Sequence, residues 1–182
     1  TDTTGKAQPY LIESLDYDYE NLLYKMKVKK GIKFHDGTTM DAEDVAFSLN
    51  LYKATGRKSS SFCSKWDRAE ATGDMEVTLY LTEPDMTLPA TLCRDVGVVT
   101  SKEAYEKYGE DYLNEHPVGT GPFKLVSWER DVKITYEKFS DYWRGEPYLD
   151  GVELVYISDS LVTEASLKNG DIDAAYIIDF AL

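Results

Sequence analysis

Lys30–Asn50 reads KGIKFHDGTTMDAEDVAFSLN, and the switch of pattern inside it decides the fold class. Ile32 and Phe34 form a short apolar pair, and Asp36-Gly37 is a strong turn signal. Asp41 is then placed to cap a helix whose first turn carries Glu43 and Asp44, where the helix dipole favours negative charge. Ala42, Val45, Leu49 and Tyr52 share one helical face, and Gly56 ends the run. Strand, turn and capped helix predict a mixed α/β chain. His35 and Asp36 are the most chemical-looking pair, but a metal site needs three or four converging ligands. The only other histidine is His116, far along the chain, so His35 and Asp36 are read as corner residues.

Working outward, Leu22, Tyr24, Met26 and Val28 alternate with Leu23, Lys25, Lys27 and Lys29, the period-two pattern of a strand with one buried face. Glu76–Thr82 alternates in the same way, and the Gly73-Asp74 turn predicts a hairpin partner near Arg68–Thr72. Pro84–Leu92 reads as a short helix, Val96–Val99 as a brief buried strand, and Ser101–Tyr108 as a helix capped by Ser101. Phe123–Trp128 and Val132–Tyr136 flank a Glu129-Arg130-Asp131 turn and make a hairpin. A strand at Val152–Ile157, a helix from Leu161 to Lys168 stopped by Gly170, and a strand at Ile172–Ile178 follow. Trp128 and Trp143 are assigned to the core, and Glu146, Asp150 and Asp171 to the solvated surface or turns.

Composition removes several function classes. A chain of 182 residues that is 42% hydrophobic and 13% aromatic can bury a core. Its formal charge of -13 would repel a phosphate backbone and an anionic membrane surface, so no nucleic-acid partner is expected. No apolar run approaches the roughly 20 residues needed to span a bilayer. TDTTGKAQPYLIES lacks the basic and apolar segments of a signal peptide. Cys63 and Cys93 permit one disulfide, too few to fix a redox compartment. There is no GxSxG, HExxH, GxxxxGK[ST] or CxxC, so no catalytic residue, metal site or cofactor is assigned. The abundant acids and 14 tyrosines keep one alternative open, a secreted carbohydrate-active enzyme or carbohydrate-binding module.

Six blocks in fixed order carry a resemblance: PYLIES (9–14), KGIKFHDGTTMDAEDVAFSLN (30–50), LTEPD (81–85), PVGTGPFKLVSWERD (117–131), YWRGEPYLDGVEL (142–154) and LKNGDIDAAY (167–176). Together they resemble the extracellular solute-binding proteins of family 5, the peptide- and nickel-binding receptors of ABC importers. The resemblance implies part of a type II periplasmic-binding-protein fold, first lobe only, with residues 1–117 as its accessory subdomain and 118–182 as the start of its main sheet. It also implies a parent that captures peptides or similar small solutes outside the cytoplasmic membrane, as a periplasmic protein or a cell-surface lipoprotein. That parent would deliver them to a membrane permease without catalysing a reaction.

The same resemblance nominates site residues. In RKSSSFCSKWDRAE (57–70), Phe62 and Trp66 lie where similar nickel receptors bring an aromatic and a basic residue to the cleft, with a cap on the core as the competing reading of Trp66. Arg94 lies where some relatives hold a carboxylate, a task that suits the guanidinium fork, with a surface ion pair to Asp95 as the competing reading. Thr120, in the tight loop Gly119-Thr120-Gly121-Pro122, is a further solute contact. Export would allow Cys63 and Cys93 to form a disulfide beside these residues.

Overall fold

The computed structural model describes residues 3–55 and 60–175, which build two antiparallel sheets and four α-helices. The first sheet contains β1 (Ile12–Asp18), β2 (Leu23–Val28), β3 (Trp66–Gly73) and β4 (Glu76–Leu81) in the order β1-β2-β4-β3. The second contains β5 (Phe123–Glu129), β6 (Lys133–Lys138) and β7 (Gly151–Val155) in sequence order. The helices are α1 (Ala42–Ala54), α2 (Leu88–Thr91), α3 (Lys102–Glu115) and α4 (Ser160–Asn169).

Alternation in β2 and β4 does what the pleat requires. Tyr24, Met26 and Val28 are buried and face the same side as Val77, Leu79 and Leu81. The register pairs Tyr24 with Leu79 and Met26 with Val77, so apolar side chains meet directly across the strands. Helix α1 lays Ala42, Val45, Ala46 and Leu49 on this layer, and Ile32, Phe34 and Met40 close its edge from the loop before the helix. That loop is a tight excursion: Lys33 bridges Thr39, and Gly37 occupies a positive φ of 89° that suits glycine.

The helix start is a full capping box. Asp41 Oδ1 accepts from the Glu43 and Asp44 amides at 2.8 and 3.1 Å, and Asp44 Oδ2 accepts from the Asp41 amide at 3.0 Å. The second Asp44 oxygen accepts from the Lys102 amide at 2.8 Å, so one buried carboxylate joins the starts of α1 and α3. Burial raises the Asp44 carboxyl above its ordinary value despite these bonds. Asp41→Ala is expected to cost about 0.5–2 kcal/mol, read as a lower urea midpoint at unchanged slope.

Several elements differ from the pattern-based expectation. Strand β1 went unrecognised because a bulge between Ile12 and Ser14 breaks its two-residue period, leaving Ile12, Leu15 and Tyr17 out of phase. Val96–Val99 is not a strand: Asp95–Gly97 forms a 3-10 turn that buries Val96 and Val99 while exposing Val98. Gly97 passes so near the Leu92 carbonyl that a Cβ there would lie 1.9 Å from the oxygen, a path no strand could take. Helix α3 runs on past Tyr108 to Glu115 with a break at Gly109. Ile172–Ala175 is irregular, and the rest of the expected last strand lies outside the described residues, as does the Gly56 helix stop. Trp128 is exposed, with the Arg130 guanidinium over its ring, whereas Trp143 packs against the core as expected.

The second sheet joins the first through a few specific contacts. Lys33 Nζ pairs with Asp141 at 2.7 Å, and the Tyr10 and Tyr142 hydroxyls bond at 2.5 Å. Burial and that bond push the Tyr142 hydroxyl up to about 12. Away from these ties, Val126, Trp128, Leu154, Tyr156 and Leu161 stand exposed, and α4 contributes no buried residue.

Candidate functional site

Phe62 and Arg94, 32 positions apart in sequence, meet at the surface. Phe62 lies on a 3-10 turn, Ser60–Cys63, and Arg94 on the turn between α2 and the 3-10 segment after it. The Arg94 amide donates to the Thr91 carbonyl and its own carbonyl accepts from Gly97, which fixes the backbone that presents the side chain. Its guanidinium carbon stands 4.7 Å from the Phe62 ring centroid. A cation over an aromatic face is attracted by the ring quadrupole and keeps its edge N–H groups available. Among the described side chains no carboxylate pairs with Arg94; the Asp95 side chain lies outside them. The arrangement is therefore a flat, pre-oriented cation of the kind that takes a carboxylate through two parallel hydrogen bonds.

Trp66 does not join this pair at the surface. It is 1% exposed, opens β3 opposite Leu81, and belongs to the main core cluster, which corrects its reading as a solute contact. A large aromatic at the head of an edge strand that α1 covers gains more from complete burial than a rim position offers. Its indole N–H finds no acceptor among the described residues.

The disulfide that export would allow between Cys63 and Cys93 is not formed, because both cysteines are free. Cys63 sits in the core as a small apolar side chain, and burial pushes its thiol above the ordinary value, away from the reactive thiolate. Cys93 is exposed and its Sγ donates to the Pro89 carbonyl at 3.3 Å.

Thr120 is partly buried in the loop that leads into β5. This loop is held by His35 from the turn between β2 and α1, where the His35 amide donates to the Gly119 carbonyl at 2.9 Å. The His35 ring bonds the same loop twice, at Gly119 N (3.3 Å) and Gly121 O (3.0 Å), and packs edge-on against Phe139 at 5.1 Å. Sequence reasoning placed His35 at the corner correctly but missed these bonds. No local signal announces them, since the partners are backbone atoms 84 and 86 residues away.

An open groove of about 800 Å³ lies elsewhere, between β1, β2, α1 and the segment after α2. Met26, Val45, Leu49 and Val99 wall it, all members of the buried core, with Lys29 and Arg144 near Trp143. Phe62, Trp66, Arg94 and Thr120 do not line it. Among the described residues no group of three or more His, Cys, Asp or Glu could hold a metal ion, and no helix is long and apolar enough to cross a membrane.

Comparison with known proteins supplies the context. The glutathione-binding protein GsiB of Pectobacterium atrosepticum is 33% identical over 175 residues, covering 93% of this chain and 34% of its own length. The solved structure of MoaA from A. tumefaciens R10 in complex with mannopinic acid superposes with a TM-score of 0.85 at 25% identity, over 91% of this chain and 34% of that one. The oligopeptide-binding protein AppA of Bacillus subtilis, solved with a nonapeptide, gives 0.78 at 32% identity over 90% and 34%. The chain thus spans about a third of the length of these relatives, and it has the mixed α/β fold of the corresponding part of a periplasmic binding protein. These relatives are binding proteins, which leaves the carbohydrate-directed alternative without support. The family model for bacterial extracellular solute-binding proteins, family 5, matches residues 6–180, and the chain belongs to that family.

Proposed function

We propose that the intact protein is the receptor of an ABC importer that captures a peptide, or a similar solute bearing a carboxylate, and passes it to a membrane permease. The observation that carries this reading is the Arg94 guanidinium held over Phe62 with no carboxylate partner among the described side chains. The ligands named for the relatives, glutathione, a nonapeptide and mannopinic acid, all offer an acid group to such a cation. Thr120 adds a hydroxyl at the junction. Residues 1–117 are read as the accessory subdomain of the first lobe and 118–182 as the start of its main sheet. Such a receptor works outside the cytoplasmic membrane, free in a periplasm or anchored to the cell surface by lipid, and performs no chemistry on its cargo.

Capture by two lobes removes most of a ligand's surface from water, whereas one lobe leaves a face solvated and still incurs the full cost of immobilising the ligand. Titrating glutathione, a tetrapeptide and a nonapeptide by calorimetry into residues 1–182 and into the intact receptor tests the reading. At least one should bind the intact receptor, with affinity for residues 1–182 weaker by about 100-fold or more. Equal affinities would show that the site does not need a second lobe.

A further inference from the structure

We infer that neutral His35 is a positioning residue, the clamp that holds the Gly119–Pro122 loop against the turn before α1, and that acidification opens it. As a statement about solute capture, this rests on the reading of Thr120 as a contact of the same site.

The hydrogen-bond pattern assigns the tautomer. The Gly119 amide can only donate, so the Nδ1 it reaches at 3.3 Å must carry the lone pair. The proton is then on Nε2, which donates to the Gly121 carbonyl at 3.0 Å. Together with the His35 amide on the Gly119 carbonyl, three bonds from one residue span Gly119–Gly121 and leave Thr120 between their anchors. Phe139, which packs on the ring, also donates its amide to the Pro122 carbonyl, so the far end of the loop is tied to the same cluster.

Protonation attacks this arrangement at one atom. A second N–H on Nδ1 would face the Gly119 N–H, donor against donor, and the loop would lose one anchor. The charged groups nearby are Asp36 in the same turn and Lys124 on β5, with Lys107 on α3, over the Tyr108 ring, close enough for its charge to be felt at Asp36. Lys124 is itself paired with Glu137 at 2.9 Å. Burial first, then Lys124, disfavours the imidazolium; the Gly121 bond and Asp36 offset part of this, and the ring's affinity for a proton stays below the ordinary 6.5. The sign follows. The unfolded chain binds the proton more readily than the folded one, so the clamp is complete above pH 6.5 and weakens as pH falls from 6.5 through the lower folded value. The loss begins at 6.5, above the range in which carboxylates ordinarily titrate, so its onset is distinct from that of general acid unfolding.

The test uses nitrogen-15 NMR of residues 1–182, with His116→Gln to assign the two imidazoles, and amide exchange corrected for intrinsic rates. We expect the Nε2–H tautomer at pH 7.5 and a His35 midpoint below 6.5. Protection at the Gly119 and His35 amides should fall roughly threefold or more between pH 7.5 and 5.5, relative to β2 and β4. His35→Gln, which keeps a donor but cannot titrate, should make loop protection flat across this range. An Nδ1–H tautomer, a midpoint at or above 6.5, or parallel loss in loop and sheet would overturn the inference. The tautomer and midpoint are read on the unaltered chain, so they decide even if the glutamine variant does not fold. None of these readouts involves solute, so a failure of the importer reading would leave them unchanged.

Discussion

Trp66→Ala is expected to cost about 3–5 kcal/mol, enough to unfold much of the population of a marginally stable domain. Trp66 heads the fully buried side chains by volume and sits where β3 pairs with Leu81 of β4, in the same core cluster as the buried Cys63. Truncation removes the apolar area and leaves a cavity that the surrounding strands cannot collapse to fill. Trp66→Phe should cost less, because it refills most of the space and deletes an indole N–H that has no acceptor among the described residues. Urea unfolding followed by far-ultraviolet circular dichroism measures both. The pair also separates two roles for this position: in the intact receptor, Trp66→Phe should keep solute affinity while Trp66→Ala loses it only through unfolding. An alanine variant with an unchanged urea midpoint would contradict the buried placement.

Trp66 shows where sequence reading reached its limit. The family resemblance makes RKSSSFCSKWDRAE a loop that brings an aromatic residue to the cleft, yet the strand begins at Trp66 itself, and burial is set by β4 and α1 rather than by the residue's neighbours in sequence. Elements with a clean period and a local stop signal were legible: β2 and β4 by alternation, α1 by its Asp41 cap, the β5–β6 hairpin by its turn, and α4 by Gly170 in the left-handed conformation. Strand β1 was not, because one bulge shifts its phase, and neither was the 3-10 turn at Asp95–Gly97, because its cause is a close approach of Gly97 to Leu92. The pair proposed to meet solute divides along the same line. Phe62 and Arg94 were each named through the resemblance, but their meeting depends on how two turns pack, which no periodicity encodes. His35 illustrates the reverse case, a residue rightly placed at a corner whose partners lie across a sheet junction.

Arg94 carries the second large effect, and its prediction distinguishes a solute-gripping cation from an ordinary surface charge. In the intact receptor, Arg94→Ala should weaken binding of a carboxylate solute by about 2–4 kcal/mol, since truncating one member of a desolvated charge pair strands the other. Arg94→Lys should recover only part of this, because an ammonium restores charge without the bidentate fork. Phe62→Leu, which removes the ring under the guanidinium while keeping apolar bulk, should cost about 0.5–2 kcal/mol of affinity. Both residues are exposed, so none of these substitutions should move the urea midpoint by more than about 0.5 kcal/mol of stability. The decisive control lies in the ligand. An amidated peptide should bind the unaltered receptor about as weakly as the free acid binds Arg94→Ala, and the two changes together should cost no more than either alone, because they delete opposite ends of one interaction. Full additivity would place Arg94 away from the solute's carboxylate, leaving its contact with Phe62 as a structural cation–π pair.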